Sequence, residues 1–294
     1  MPMAHVNETA LYYETRGNGI PIVFLHPPLL SSANFRYQQL QLPDEFQIIT
    51  YDMRGHGKSA YSPTPLAYGL LGKDLIGLLD HLRLSRVILC GYSTGGGLAL
   101  EAMLAYPQRF LGAVLVSAMP EVDDLWLKFR LVAATRLSGT AWTNHLLAWG
   151  IAWGNADRKA TFRELMRAAA EGNKENQKQY FKASLHYACG KRVDSIRHPV
   201  LLLYGEKDKR FHKYAQQLQD RLPEAELILL PQAKHQIPTK EAAQMNKLLS
   251  GWVKRHFWPD STRFRNSSGL RSSPDAHPII GGDSSHAETE YPGS

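Results

Sequence analysis

RVILCGYSTGGGLALEA, residues 86–102, changes its periodicity in the middle. Up to Cys90 it is an apolar, β-branched run without polar alternation, the pattern of a strand buried on both faces. From Thr94 onward small and apolar residues recur at helical spacing. The junction between them reads Gly91-Tyr92-Ser93-Thr94-Gly95, a G-x-S-x-G. As a bare pattern this is weak, since about one chain in ten of this length shows it by chance when glycine and serine are each near 7%. The context gives it force. A serine on so sharp a strand-to-helix turn is held in a strained backbone conformation, and its neighbours must be tiny because strand and helix nearly touch. Gly91, Gly95 and Gly96 meet that need. The turn lifts the Ser93 hydroxyl above the sheet and leaves the Thr94 amide free at a helix N-terminus. A dinucleotide-phosphate loop is excluded by the missing G-x-G-x-x-G spacing. Gly57-Lys58-Ser59 resembles the end of a P-loop, but the position of its required first glycine is Asp52.

Outward from this junction, apolar runs and helical patterns alternate. Strands are expected at ALYYET, PIVFLH (21–26), QIITYD (47–52), RVILCG (86–91), GAVLVSA (112–118), PVLLLYG (199–205) and AELILLP (225–231). Leucines 71, 75, 78, 79 and 82 lie on one face of a helix, and further helices are expected over 94–106 and 241–257. Such alternation predicts an α/β fold with a mostly parallel central sheet flanked by helices. The first two runs, joined by a short turn at Asn18-Gly19, are expected as antiparallel edge strands. Between about 121 and 195 the alternation breaks into helical segments alone. The organisation expected is therefore a core of residues 1–120 and 196–258, a helical insertion at 121–195, and a Ser/Gly/Pro-rich tail at 259–294 expected to be disordered. The insertion holds four of six tryptophans, Trp126, Trp142, Trp149 and Trp153, either as its own core or as the roof of an apolar pocket.

The 294 residues carry a formal charge of +7, but lysines and arginines are scattered. The densest groups, KDKR (207–210) and VKRH (253–256), read as solvated faces, so neither nucleic acid nor membrane is expected as a partner. No run reaches the ~18 apolar residues of a membrane span, and the N-terminus lacks the pattern of a secretory signal. Two cysteines, Cys90 and Cys189, make no disulfide framework, and Cys90 reads as a buried thiol. A cytoplasmic monomer or small homo-oligomer, needing neither metal nor cofactor, is expected.

A serine hydroxyl is a weak nucleophile until a base, held by a third group, takes its proton. Asp208 follows the run PVLLLYG and His235 follows the next, both just past strand C-termini, where open α/β sheets build their sites. Asp123 and Asp124 compete for the acid's place; His26, His56 and His186 compete for the base's, but only His235 follows the last core strand. Ser93, Asp208 and His235 stand in the order seen in α/β-hydrolases. With the helical insertion and the segment Tyr51–Ser59, which is similar to that family's turn after its third core strand, the chain resembles the α/β-hydrolase superfamily over residues 8–257. The resemblance implies Ser93 as nucleophile, His235 as general base then acid, and Asp208 as the residue orienting it.

An esterase-like serine hydrolase acting on a small, partly apolar molecule is expected, with Pro28, Tyr92, Trp126 and Trp149 lining its site. Serine rather than aspartate at position 93 argues against dehalogenase and epoxide-hydrolase chemistry. A ligand-binding sensor, a perhydrolase and a C–C bond hydrolase stay open on the same scaffold. One departure stands out. Where the family carries His-Gly and then an amide donor for the oxyanion, this chain reads His26-Pro27-Pro28, and proline has no N–H. The Leu29 amide, or the hydroxyl of Ser31 or Ser32, is expected to stand in beside the Thr94 amide. A half-built hole, or a loop that binds ligand without catalysis, are the alternatives.

Overall fold

The computed structural model describes residues 2–258; the expectation for the tail from 259 lies outside the described residues. Its strands are β1 (Met3–Val6), β2 (Thr9–Arg16), β3 (Ile20–Leu25), β4 (Phe46–Tyr51), β5 (Val87–Tyr92), β6 (Phe110–Val116), β7 (Val200–Gly205) and β8 (Ala225–Leu230). Its helices are α1 (Arg36–Gln41), α2 (Tyr68–His81), α3 (Thr94–Ala105), α4 (Leu125–Leu137), α5 (Ala141–Asn155), α6 (Lys159–Glu171), α7 (Lys174–His186), α8 (His212–Arg221), α9 (Ile237–Lys240) and α10 (Ala242–Phe257). One eight-stranded sheet runs in the order β1-β2-β4-β3-β5-β6-β7-β8. From β4 to β8 every pair is parallel, while β2 is antiparallel to both β1 and β4.

One expectation needs correction. PIVFLH is not an antiparallel edge strand: β3 lies inside the sheet, parallel to β4 and β5, and every residue of it is buried. The reason is visible in the strand itself. Val23 and Leu25 enter one apolar layer and Ile22 and Phe24 the other, so both faces must be covered. The edge is taken instead by β1, a short, partly polar strand that the apolar pattern does not reveal.

The two apolar layers are covered by different helices. α2, α3 and α8 lie on one face, where Leu71, Leu75, Leu98, Tyr214 and Leu218 meet the sheet. α10 covers the other through Met245, Leu249, Trp252 and Val253. Four helices, α4–α7, intervene between β6 and β7. α6 and α7 are separated at Gly172, because the Asn173 side chain accepts from the amides of Glu175 and Asn176 and starts α7 afresh. These helices are tied to the core by buried polar contacts. Asn176 bonds both backbone groups of Ser62, and the Tyr180 hydroxyl donates to the His26 carbonyl. The turn after β4 is held by a buried polar network. Arg54 forks onto Asp74 and donates to the Ser62 hydroxyl, all out of water, and it also donates to the carbonyl of the exposed Asn7. Removing either partner leaves a buried charge uncompensated.

Candidate active site

β5 ends at Tyr92 and α3 begins at Thr94, so the whole reversal falls on Ser93, whose φ of 53° and ψ of −120° lie where non-glycine residues are rare. What permits it is the absence of side chains around it. A Cβ on Gly95 would stand 2.1 Å from the Leu25 carbonyl oxygen, and one on Gly91 2.6 Å from Gly96. The helix therefore starts against the strand, with the Thr94 amide among its unpaired N-terminal donors.

The next two parallel strands bring the partners. The loop after β7 carries Asp208 and the loop after β8 carries His235. These loops are laced together: the Glu206 and Lys207 amides donate to the Leu230 and Ala233 carbonyls, and Glu206 Oε2 accepts from the Gln232 amide. Such closeness requires Gly205, where a Cβ would stand 2.5 Å from both the Ala233 and Lys234 carbonyl oxygens. The Ser117 hydroxyl donates to the His235 carbonyl and holds the loop from the other side.

Ser93, Asp208 and His235 are brought together in hydrogen-bond contact. His235 Nδ1 lies 2.8 Å from Asp208 Oδ2, and His235 Nε2 lies 3.1 Å from Ser93 Oγ. A carboxylate accepts, so the ring carries its proton on Nδ1 and offers Nε2 as acceptor to the Ser93 hydroxyl. Phe211 packs on the imidazole with centroids 4.3 Å apart and Tyr92 stands at 5.5 Å. The ring thus has little freedom to turn away. The competing acids are engaged elsewhere: Asp124 caps α4 through the Leu127 amide and accepts from Tyr214, and Asp123 pairs with Lys213. His26 and His56 are buried in the core, 5.4 Å apart.

The proline loop forms a turn in which the Leu30 amide donates to the Pro27 carbonyl. Proline at its second position fits, and the third, Leu29, takes a φ of 62°, the conformation of a type II turn. The Leu29 amide has no acceptor among the described residues. His26 holds the loop from beneath: its Nε2 accepts from the Met53 amide, so Nδ1 carries the proton and donates to the Pro27 carbonyl. Burial pushes this imidazole down to about 4, keeping it neutral. The two serines have local duties. Ser31 Oγ accepts from the Ala33 amide, and the Ser32 amide donates to Asp52 Oδ1.

The other predicted site residues divide. Pro28 and Tyr92 are buried, and the Tyr92 hydroxyl donates to Asn155 at the end of α5. Trp126, in the first turn of α4, is partly buried between two arginines. Trp149 is different. It is 46% exposed, stacked on Trp153 and edge-on to Phe162, off the buried face of α5 that Ala148, Ala152 and Asn155 define. Trp142 and Trp153 are more exposed still, at 74% and 64%. These three indoles are therefore not the core of the helical segment, as aromatic bulk alone suggested. Among the described residues no cluster of three potential metal ligands occurs, and no helix is long and apolar enough to cross a membrane.

A parallel sheet with a strained serine at the tip of β5 defines a class, and comparison with known proteins gives the same one. The family model described as alpha/beta hydrolase fold matches residues 20–241, and the chain belongs to that family. It is 27% identical to 3-oxoadipate enol-lactonase 2 of Acinetobacter baylyi, over 71% of this chain and 82% of that one. It is also 27% identical to the AB hydrolase superfamily protein YisY of Bacillus subtilis, over 82% of this chain and 94% of the relative. Among solved structures, an esterase from Exiguobacterium antarcticum superposes with a TM-score of 0.78 at 21% identity, over 86% of this chain and 98% of the other. That likeness is one of fold.

Proposed function

We propose that the protein is a serine hydrolase that cleaves an ester-type bond in a small substrate through an acyl-enzyme. The observation that carries this reading is the unbroken contact from Asp208 through His235 to Ser93, on a serine held in strained geometry. His235 takes the Ser93 proton as Oγ bonds to the carbonyl carbon, and returns it to the leaving alcohol. Water, deprotonated by the same imidazole, then releases the acid. Asp208 keeps the Nδ1 tautomer and stabilises the imidazolium. The amides of Thr94 and Leu29 serve the oxyanion. The Pro27-Pro28 turn moves the donor one residue along the chain, and Leu29's positive φ turns that amide out of the loop's own hydrogen bonding. Family relatives that bear the names of an enol-lactonase and an esterase support acyl chemistry on this scaffold.

The test is hydrolysis of p-nitrophenyl esters of graded chain length by the wild type and by Ser93→Ala. The variant is expected to fold with an unchanged melting temperature and to lose turnover. Near wild-type activity in it overturns the assignment of Ser93.

A further inference from the structure

Two arginines from different parts of the chain converge on one indole beside the loop that carries Asp208. The guanidinium carbon of Arg130, on α4, lies 4.7 Å from the centroid of Trp126, and that of Arg210, in the loop after β7, lies 4.5 Å from it. Arg210 belongs to the same short loop as the triad's acid. Asp208 holds His235 Nδ1, Arg210 meets Trp126 and Phe211 packs on the His235 ring. Arg130 is also within electrostatic reach of the site. Burial and the Asp208 charge push the Tyr92 phenol up, and the Arg130 charge opposes them.

Two like charges gathered on one ring repel, and a cation–π contact holds each guanidinium in place without neutralising it. Several arginines elsewhere in the molecule are paired. Arg54, Arg109, Arg192 and Arg255 each meet a carboxylate. Arg130 and Arg210 have neither a carboxylate nor any hydrogen-bond acceptor among the described residues. The acids nearby are already engaged: Asp123 and Asp124 by Lys213, Glu206 by the Gln232 amide, and Asp208 by His235. Lys207, Lys209 and Lys234 add exposed positive charge to the same two loops. A guanidinium presents its donors in a plane that fits a carboxylate, and an aromatic ring holds that plane in place.

We infer that Arg130 and Arg210, braced on Trp126, form a binding site for a carboxylate carried by the substrate at a distance from the scissile bond. The substrate class is then an ester or lactone bearing an acid group, drawn in by the positive loops and oriented by the two forks. The site deepens the esterase reading, and only its kinetic test depends on that reading.

A matched pair of probes isolates the charge: 4-acetoxybenzoate and its neutral methyl ester, both cleaved at the same acetyl group. The wild type is expected to favour the acid in kcat/KM by about tenfold or more, the worth of one charge-assisted hydrogen bond. Raising the salt should erode that preference. Arg130→Gln and Arg210→Gln should each lower the ratio of the two kcat/KM values by about tenfold, with Arg210→Lys in between. Equal kcat/KM for the two probes in the wild type, or a ratio that neither glutamine variant moves, overturns the inference. Calorimetric titration of Ser93→Ala with 4-acetoxybenzoate separates this outcome from a failure of the hydrolase reading. Binding that disappears in Ser93→Ala/Arg210→Gln sustains the carboxylate site even if neither ester is turned over. Absence of binding in Ser93→Ala overturns it even if both are.

Discussion

Replacing Asp208 by asparagine is expected to leave the fold intact and to lower kcat by about 10³–10⁴. Asp208 Oδ2 is the acceptor for His235 Nδ1 at 2.8 Å, and both side chains are largely screened from water, at 13% and 21% exposure. An asparagine can sit there in two orientations. With its amide nitrogen toward the ring it donates to Nδ1, drives the proton to Nε2, and presents Ser93 with a donor where an acceptor is needed. With its oxygen toward the ring the tautomer survives, but the imidazolium of the transition state faces no negative charge. Two unit charges about 4 Å apart interact by about 4 kcal/mol at an effective dielectric of 20, or roughly 10³ in rate. Loss of the tautomer in the serine-protease triad costs ~10⁴. The assay is kcat on a p-nitrophenyl ester beside the melting temperature, with Asp124→Asn as the control. That control removes the charge, while an asparagine oxygen still accepts from the Leu127 amide and keeps the α4 cap, so stability and kcat should both change little. A loss below about tenfold in Asp208→Asn, or a larger one in Asp124→Asn, refutes the assignment.

Other expectations follow from the same geometry. Replacing the Leu29 amide by an ester, through incorporation of the α-hydroxy analogue of leucine, should lower kcat by ~10²–10³ while KM stays close to the wild-type value; an unchanged kcat removes Leu29 from the oxyanion hole. Gly205→Ala puts a methyl 2.5 Å from two carbonyl oxygens, so it should spread the loops that carry Asp208 and His235. Its signature is a fall in kcat that exceeds what the accompanying loss of melting temperature explains, and wild-type kinetics contradict it. The buried imidazoles of His26 and His56, held near 4 and 3 by burial, bind protons more weakly in the folded chain than in the unfolded one. Their contribution is complete above about pH 6.5 and is lost as the pH falls toward 4, by about 1.4 kcal/mol per pH unit for each ring while its unfolded form alone is protonated. Chemical denaturation between pH 7 and 4.5 should show this slope, and His56→Gln, if it folds, should flatten it.

The sequence exposed those parts of the molecule whose physical requirements are local. A buried strand, a reversal on one serine and three glycines packed against it must be adjacent in the chain, so residues 86–102 display them together. Asp208 and His235 were legible for a topological reason, since parallel strands all end at one edge and each loop there is a candidate. The place of β3 was misread because a short turn suggested a hairpin, while the apolar residues on both faces of PIVFL pointed to the interior. What holds the site in place was less visible. The lacing of Glu206 and Lys207 to the His235 loop, and the grip of His26 on the proline turn, depend on contacts between segments far apart in sequence. Gly205, directly before the acid's turn, was the one local sign of it. Tryptophan content likewise said nothing about direction: Trp126 is partly buried against Arg210 of the loop that carries Asp208, while Trp142, Trp149 and Trp153 are exposed.

Activation of Ser93 as a nucleophile by His235 can be read out with a fluorophosphonate probe followed by peptide mass spectrometry. One phosphonyl adduct is expected on the peptide containing Ser93, formed rapidly in the wild type and slowed by orders of magnitude in His235→Ala. An unlabelled Ser93 under conditions that label other serine hydrolases, or labelling as fast without His235 as with it, contradicts it.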